Sequence, residues 1–204
     1  MKHLIHFLLY FATFGAFLSC QKAEPDYVPK PKAYPRMELP PQTYQLLEAT
    51  HPYIFEYSKS AIILRDTFAL AEPHWIYIYY PDLKANIQLT YKTVENDPKR
   101  LSAFINDAYK MAGKHSERAF SLEEQTIKTK SGRTATILKL TGNVPTYYQF
   151  YSTDSTKNYL RGALYFNVAG KSDSLQPAID YLRADIEHLL NTLKWRNNQK
   201  QQKN

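Results

Sequence analysis

One cysteine, Cys20, is all that the 204 residues contain, which excludes any intrachain disulfide and leaves stability to packing. The chain also lacks the roughly 18 to 20 uninterrupted apolar residues that a membrane-spanning helix needs. Its longest apolar run, residues 3 to 18, is broken by His3, His6, Tyr10, Thr13 and Gly15. Signatures of chemistry are missing too. There is no H-E-x-x-H, no cysteine pair and no G-x-S-x-G elbow for an acyl-transfer serine. Gly170-Lys171-Ser172 has the ending of a phosphate-binding loop, but the glycine required five residues earlier is Tyr165. Backbone amides then cannot form the phosphate cradle, and no nucleotide site is expected. His51, His74, His115 and His188 are scattered. Asp185 and His188, one helical turn apart, supply two ligands where a closed zinc site needs four, and read as a solvated helix face. Glu56 and Glu123-Glu124 could become an acid–base pair only through folding. No catalytic residue, metal ligand or cofactor is expected.

What is present begins at the N-terminus. Lys2 precedes the apolar stretch, which ends in Ala16-Phe17-Leu18-Ser19-Cys20. A positive start, a short apolar core and a small residue before the cut form a signal-peptide layout over residues 1–19. With Ser19 directly before the lone cysteine, the pattern resembles a bacterial lipoprotein lipobox, and Cys20 is the expected lipid attachment point. Cleavage before Cys20 leaves 185 of the 204 residues, enough for one domain with a sizeable core.

Loss of the signal removes only Lys2 among the charged residues, so the formal charge falls from +7 to +6. The excess is densest at the two ends, in Lys22, Lys30, Lys32 and Arg36, and in Lys194, Arg196, Lys200 and Lys203. An exported chain meets anionic envelope polymers and lipid head groups rather than a genome, so nucleic acid is not an expected partner. Tyrosine dominates the aromatic residues, 17 against 10 Phe and 2 Trp, which suits strands with one wet face.

Residues 20–51 read as a tether. Pro25, Pro29, Pro31, Pro35, Pro40 and Pro41 are six of the chain's 12 prolines, and at about 3.1 Å per residue such a segment reaches roughly 60 Å from the lipid. Asp26-Tyr27-Val28-Pro29-Lys30-Pro31-Lys32 also has the Pro-x-Pro spacing and aromatic anchor of a groove-binding peptide. Residues 43 to 50 predict a short helix at the tether's end.

Residues 52–196 read as a single α+β domain. Short strands are predicted over 52 to 57, 61 to 64 and 67 to 70. A hairpin follows, from His74–Tyr80 into Lys84–Lys92, where Ala85, Ile87, Leu89 and Tyr91 alternate with Asn86, Gln88 and Thr90. Asp97-Pro98 starts a helix with a capping carboxylate and a proline whose missing N–H costs nothing there. Its stripe is Leu101, Phe104, Ile105, Ala108 and Ala112, and Gly113 is placed for a left-handed stop. Strands over 121 to 129 and 134 to 141 meet at Lys130-Ser131-Gly132-Arg133; two more, Thr146–Ser152 and Tyr159–Val168, flank a polar turn. Ile179, Leu182, Ile186, Leu189 and Leu193 mark a long amphipathic helix over 177 to 194, with Asp180, Arg183, Asp185 and Glu187 off the stripe. The architecture expected is one mostly antiparallel sheet with both helices packed on it. The polar tail, residues 197–204, is expected to be disordered.

Several blocks resemble the gliding-motility lipoprotein GldD family: Asp26–Lys32, Phe55-Glu56-Tyr57-Ser58, Tyr80-Pro81 with Lys84-Ala85, Leu89-Thr90-Tyr91-Lys92, Gln149-Phe150-Tyr151-Ser152-Thr153-Asp154-Ser155-Thr156-Lys157, and Gly162-Ala163-Leu164-Tyr165-Phe166. The resemblance runs to about Trp195. It implies a lipid-anchored envelope component required for gliding, in bacteria whose adhesins leave through the type IX secretion system, and it brings no catalytic residues. A non-enzymatic scaffold or assembly factor, facing the periplasm and touching envelope proteins of that machinery, is the expectation; an envelope glycan-binding module is the alternative. The element order is also similar to the Mog1/PsbP-like α/β sandwich.

Alternation in the last strand pair points to a partner face. Leu160, Gly162, Leu164 and Phe166 form the apolar side, with Tyr148 and Phe150 beside them. That leaves Tyr147, Tyr151, Tyr159, Arg161 and Tyr165, with Gln149, on the other side, residue types enriched at binding hot spots.

Overall fold

The computed structural model describes residues 37–48, 50–116, 119–167 and 172–196. The signal peptide, Cys20, most of the tether, Gly170-Lys171 and the polar tail lie outside them.

In chain order the elements are β1 (Tyr44–Leu46), β2 (Tyr53–Ile54), β3 (Glu56–Ser58), β4 (Ile62–Arg65), β5 (Ile76–Tyr80), β6 (Ala85–Thr93), α1 (Pro98–Ser116), β7 (Ala119–Lys128), β8 (Thr134–Gly142), β9 (Thr146–Thr153), β10 (Asn158–Phe166), α2 (Ser172–Thr192) and β11 (Lys194–Trp195). Seven strands form an antiparallel sheet in the order β4-β5-β6-β10-β9-β8-β7, while β1 pairs with β3 and β11 with β2. This is the mixed α+β architecture, a large antiparallel sheet with two helices, that the sequence pattern predicts.

The alternation seen in sequence becomes two-sidedness in space. Along β6, Ala85, Ile87, Leu89 and Tyr91 are buried on one face, while Asn86, Gln88, Thr90 and Lys92 are half-buried on the other. The first face packs under α2, whose Ile179, Leu182, Ile186 and Leu189, with Leu193 just past its end, are all buried in the main core with Phe150, Leu160 and Leu164. Full burial of each such side chain contributes about 1.5 to 3 kcal/mol. The other face meets α1, which packs against β7, β9 and β10. Phe104, Ala108 and Met111 of α1 also face Gln88, Thr90 and Lys92 of β6 across a groove.

Local chemistry sets the ends of the helices. Asp97 caps α1 as expected, its Oδ1 accepting from the backbone N–H of Lys99 at 2.9 Å. Gly113 does not stop α1, which continues to Ser116. The helix α2 begins at Ser172, ahead of the expected start, with Pro177 inside its early turns. Its end is held by Thr192 Oγ1, which accepts from the N–H of Glu56 at 3.0 Å, and by the Arg133 guanidinium, which donates to the Leu193 carbonyl at 3.0 Å.

Two local expectations need correction. Tyr44–Leu46 is a strand, not part of a helix, because β3 supplies a ladder partner and Leu47 is buried behind it. Residues 67 to 70 form no strand: Asp66 turns the chain, its Oδ1 accepting from the N–H of Phe68 at 2.9 Å, and the Ala71 N–H closes on the Phe68 carbonyl.

Candidate functional site

The outer face of the sheet carries the residues singled out by alternation, and α1 lies over much of it. Ring register across the strands is direct: Arg161 sits opposite Thr90 on β6 and Tyr151 on β9, and Tyr165 opposite Asn86. From α1, Phe104 packs on Tyr159 at 5.5 Å between ring centroids, Tyr109 on Tyr151 at 6.3 Å, and His115 on Tyr165 at 6.4 Å. The Tyr159 hydroxyl donates to the Phe104 carbonyl at 3.2 Å, and Tyr109 donates to Glu124 at 2.6 Å.

The expected open partner face is therefore corrected. Tyr159 and Arg161 are buried beneath α1, and Tyr151 and Tyr165 are only half-exposed. Tyr147 is on the opposite face. A register shift between Ala163 and Tyr165 inserts an extra residue into β9, which turns Tyr147 toward Phe166 on the main-core side, 5.9 Å away edge to face. Alternation alone cannot show a bulge.

What remains beside Arg161 is a groove of about 230 Å³ between α1, strands β6 and β10 and Trp75, lined by Trp75, Gln88, Thr90, Lys92, Phe104, Asp107, Ala108, Met111, Tyr159, Arg161 and Tyr165. Arg161 donates one hydrogen bond, to Gln149 Oε1, while its Nε and the Gln149 Nε2 are buried without partners among the described residues. A second, polar depression of about 380 Å³ lies between α2 and β7–β8, lined by Glu123, Lys139, Asp180, Arg183 and Glu187 among others.

The edge of the same outer face is different in character. Ile62 and Leu64 sit opposite Tyr79 and Tyr77, and so point outward, with about half of each side chain exposed. The loop after them presents Phe68 and Leu70, 64% and 76% exposed. Among the described residues strand β4 pairs only with β5, which leaves the backbone groups of its other edge without a ladder partner there.

Polar clusters missed in the sequence appear on the core side. Asp185, expected on a wet helix face, is 3% exposed, and its two oxygens accept from the hydroxyls of Tyr44 and Tyr80 at 3.0 Å each. Burial raises its carboxyl above the ordinary value, and the two tyrosine hydrogen bonds and His188 oppose that rise. His188 Nε2 lies 2.7 Å from Glu56 Oε2, and its ring stacks on Tyr44. His51 and His74, distant in sequence, bring their Nδ1 atoms to 3.2 Å. Burial lowers His51, and the neighbouring His74 and Arg196 add to it. Glu123 pairs with Lys139 and Glu124 accepts from Tyr109, so neither joins Glu56 in a carboxylate pair. Among the described residues no group of three or more His, Cys, Asp or Glu could hold a metal ion.

Comparison with known proteins decides the family: the model of the gliding motility lipoprotein GldD matches residues 24–195. The chain belongs to that family. It is accordingly a gliding-motility lipoprotein, a membrane-anchored component of the cell envelope. The GldD match starts just after Cys20 and takes in every element described above. No curated protein matches the chain. Among solved structures, the solution structure of cyanobacterial PsbP (CyanoP) from Synechocystis sp. PCC 6803 is similar with a TM-score of 0.47 and 11% identity, over 78% of this chain and 95% of that one. A crystal structure from Bacteroides thetaiotaomicron VPI-5482 is similar with a TM-score of 0.34 and 12% identity, over 72% of this chain and 46% of that one.

Proposed function

We propose that this GldD-family protein is a non-enzymatic scaffold or assembly factor of the gliding apparatus, linked to type IX secretion, facing the periplasm and docking an envelope protein of that machinery along β4. The observation that supports this reading most directly is the apolar edge. Natural sheet edges are usually blunted by charge, proline or cover, and the far edge, β7, opens with Phe120 and Leu122 but continues with exposed Glu123, Glu124, Gln125 and Thr126. Strand β4 instead offers Ile62 and Leu64, with Phe68 and Leu70 continuing the surface. Unpaired backbone groups give an added strand its hydrogen bonds, and alternate apolar side chains give it specificity. The glycan-binding alternative favours paired carboxylates beside Trp and Tyr, whereas the groove beside Trp75 carries one carboxylate, Asp107.

The test is the double variant Ile62→Lys with Leu64→Glu, checked for export, lipidation and an unchanged melting temperature, then scored for gliding and adhesin secretion. A photocrosslinker at position 64 should capture an envelope protein in the wild type. If the folded, lipidated variant glides and secretes as the wild type does, β4 is not the interface.

A further inference from the structure

Arg161 is 8% exposed, and among the described residues it forms no ion pair. A guanidinium almost never sits that deep unless paired, because taking a cation out of water is expensive unless another charge or a full set of acceptors replaces the solvent. Among the described residues Gln149 supplies a single acceptor to Arg161, and the Nε has none. The charge is felt nearby: burial lowers His115 below the ordinary imidazole value, and Arg161 is the next cause.

We infer that the groove between α1 and strands β6 and β10 binds a carboxylate carried on an apolar or aromatic group, anchored by the Arg161 guanidinium. A guanidinium presents a planar fork of donors that matches the two oxygens of a carboxylate. Trp75, Phe104, Tyr159 and Met111 supply the walls for the apolar part. Lys92, the other cation in the lining, is bonded to Glu72 and lies 5.0 Å over the Trp75 ring, so it is already engaged. Asp107, the only acid among the described residues that line the groove, is exposed on α1, where water screens it. About 230 Å³ suits a group the size of one aromatic residue. Such a carboxylate occurs on small free acids and at the C-terminus of a peptide chain, and the two sources are separable.

The full chain, purified in detergent, would be titrated with N-acetylphenylalanine, with its uncharged amide, and with an acetylated Ala-Ala-Ala-Phe peptide bearing a free C-terminus. Nitrogen-resolved NMR reads the Trp75 indole, with the Trp195 indole as internal control. The acid should move the Trp75 signal and leave Trp195 in place, and the amide should bind at least tenfold more weakly. A peptide that binds tighter than the single residue assigns the groove to chain ends; a weaker one assigns it to free acids. Arg161→Gln should abolish binding. Because that buried change can unfold the chain, the charge is also tested at exposed Met111: Met111→Glu should weaken the acid at least threefold, and Met111→Lys should not. Equal binding of acid and amide, an unmoved Trp75 signal, or equal affinities for the two Met111 variants would overturn the inference.

Discussion

The ring of Phe150 lies directly on Gly162: a Cβ built at Gly162 would stand 2.1 Å from Phe150 Cζ and 2.4 Å from Cε1. The two face each other in register between β9 and β10, at the centre of the sheet under α2. Gly162 opens the Gly-Ala-Leu-Tyr-Phe block on which the resemblance to the family partly rests, and its role is to let an aromatic side chain cross the backbone of the neighbouring strand. Gly162→Ala should destabilise by about 1 to 3 kcal/mol through overpacking. Phe150→Leu in the same chain should recover part of that loss, read as a coupling in a double-mutant cycle of denaturant unfolding. Strict additivity of the two changes would show that the contact is not what excludes a side chain at 162.

A second block of that resemblance, Thr153-Asp154-Ser155-Thr156-Lys157, is a turn with one organiser. Asp154 accepts from the N–H groups of Thr156, Lys157 and Asn158 at 3.0, 2.7 and 2.8 Å, and from Asn158 Nδ2 at 2.6 Å. Partial burial pushes its carboxyl upward, but these hydrogen bonds outweigh burial and hold it below 3.8. A depressed carboxylate contributes stability that is present above 3.8 and is lost as pH falls through the lower folded-state value. Asp154→Ala should therefore cost about 1 to 2 kcal/mol at neutral pH, discounted for its partial exposure, with the deficit shrinking in acid. A deficit that stays constant down to the acid limit of folding would remove the ionised carboxylate from the account.

Much of this fold was legible because its signals are local. The β5–β6 hairpin, the Asp97 cap and the α2 stripe each rest on residues within a few positions of one another. What was not legible depends on distant partners. Tyr44–Leu46 reads as helix until β3 is beside it, and Tyr44 meets Asp185, 141 residues on. Asp185 lies off the apolar stripe of α2 by periodicity and is nonetheless buried, because two tyrosines from other elements supply its donors. The stripe of α1 showed that it covers a sheet but not which face, and so Tyr159 and Arg161 passed for surface.

The anchor is testable independently of the domain. Ser19-Cys20 closes the apolar run at the only thiol in the chain, so labelled fatty acid should enter the wild type and be lost in Cys20→Ala, measured by autoradiography of the immunoprecipitated protein. Gliding should fall with it, because a tether concentrates the domain at its membrane partners. Equal label in both proteins would end the lipid-anchor reading.

Asp185 carries the last prediction, through pH. Burial raises its carboxyl above 3.8 despite the bonds from Tyr44 and Tyr80. Between 3.8 and that raised value the folded chain binds more protons at this site than the unfolded chain, so stability at this group falls as pH rises across the window. Asp185→Asn cannot titrate. The melting temperature of the wild type relative to Asp185→Asn should therefore be highest at the acid end of the window, decline through it, and level off above it. Tyr44→Phe should extend the window upward, since one of the two donors that favour the ionised form is gone. If the wild-type and Asp185→Asn melting temperatures keep a fixed offset from pH 3.8 upward, Asp185 titrates in the fold as it does in the open chain, and the two tyrosines fully offset its burial.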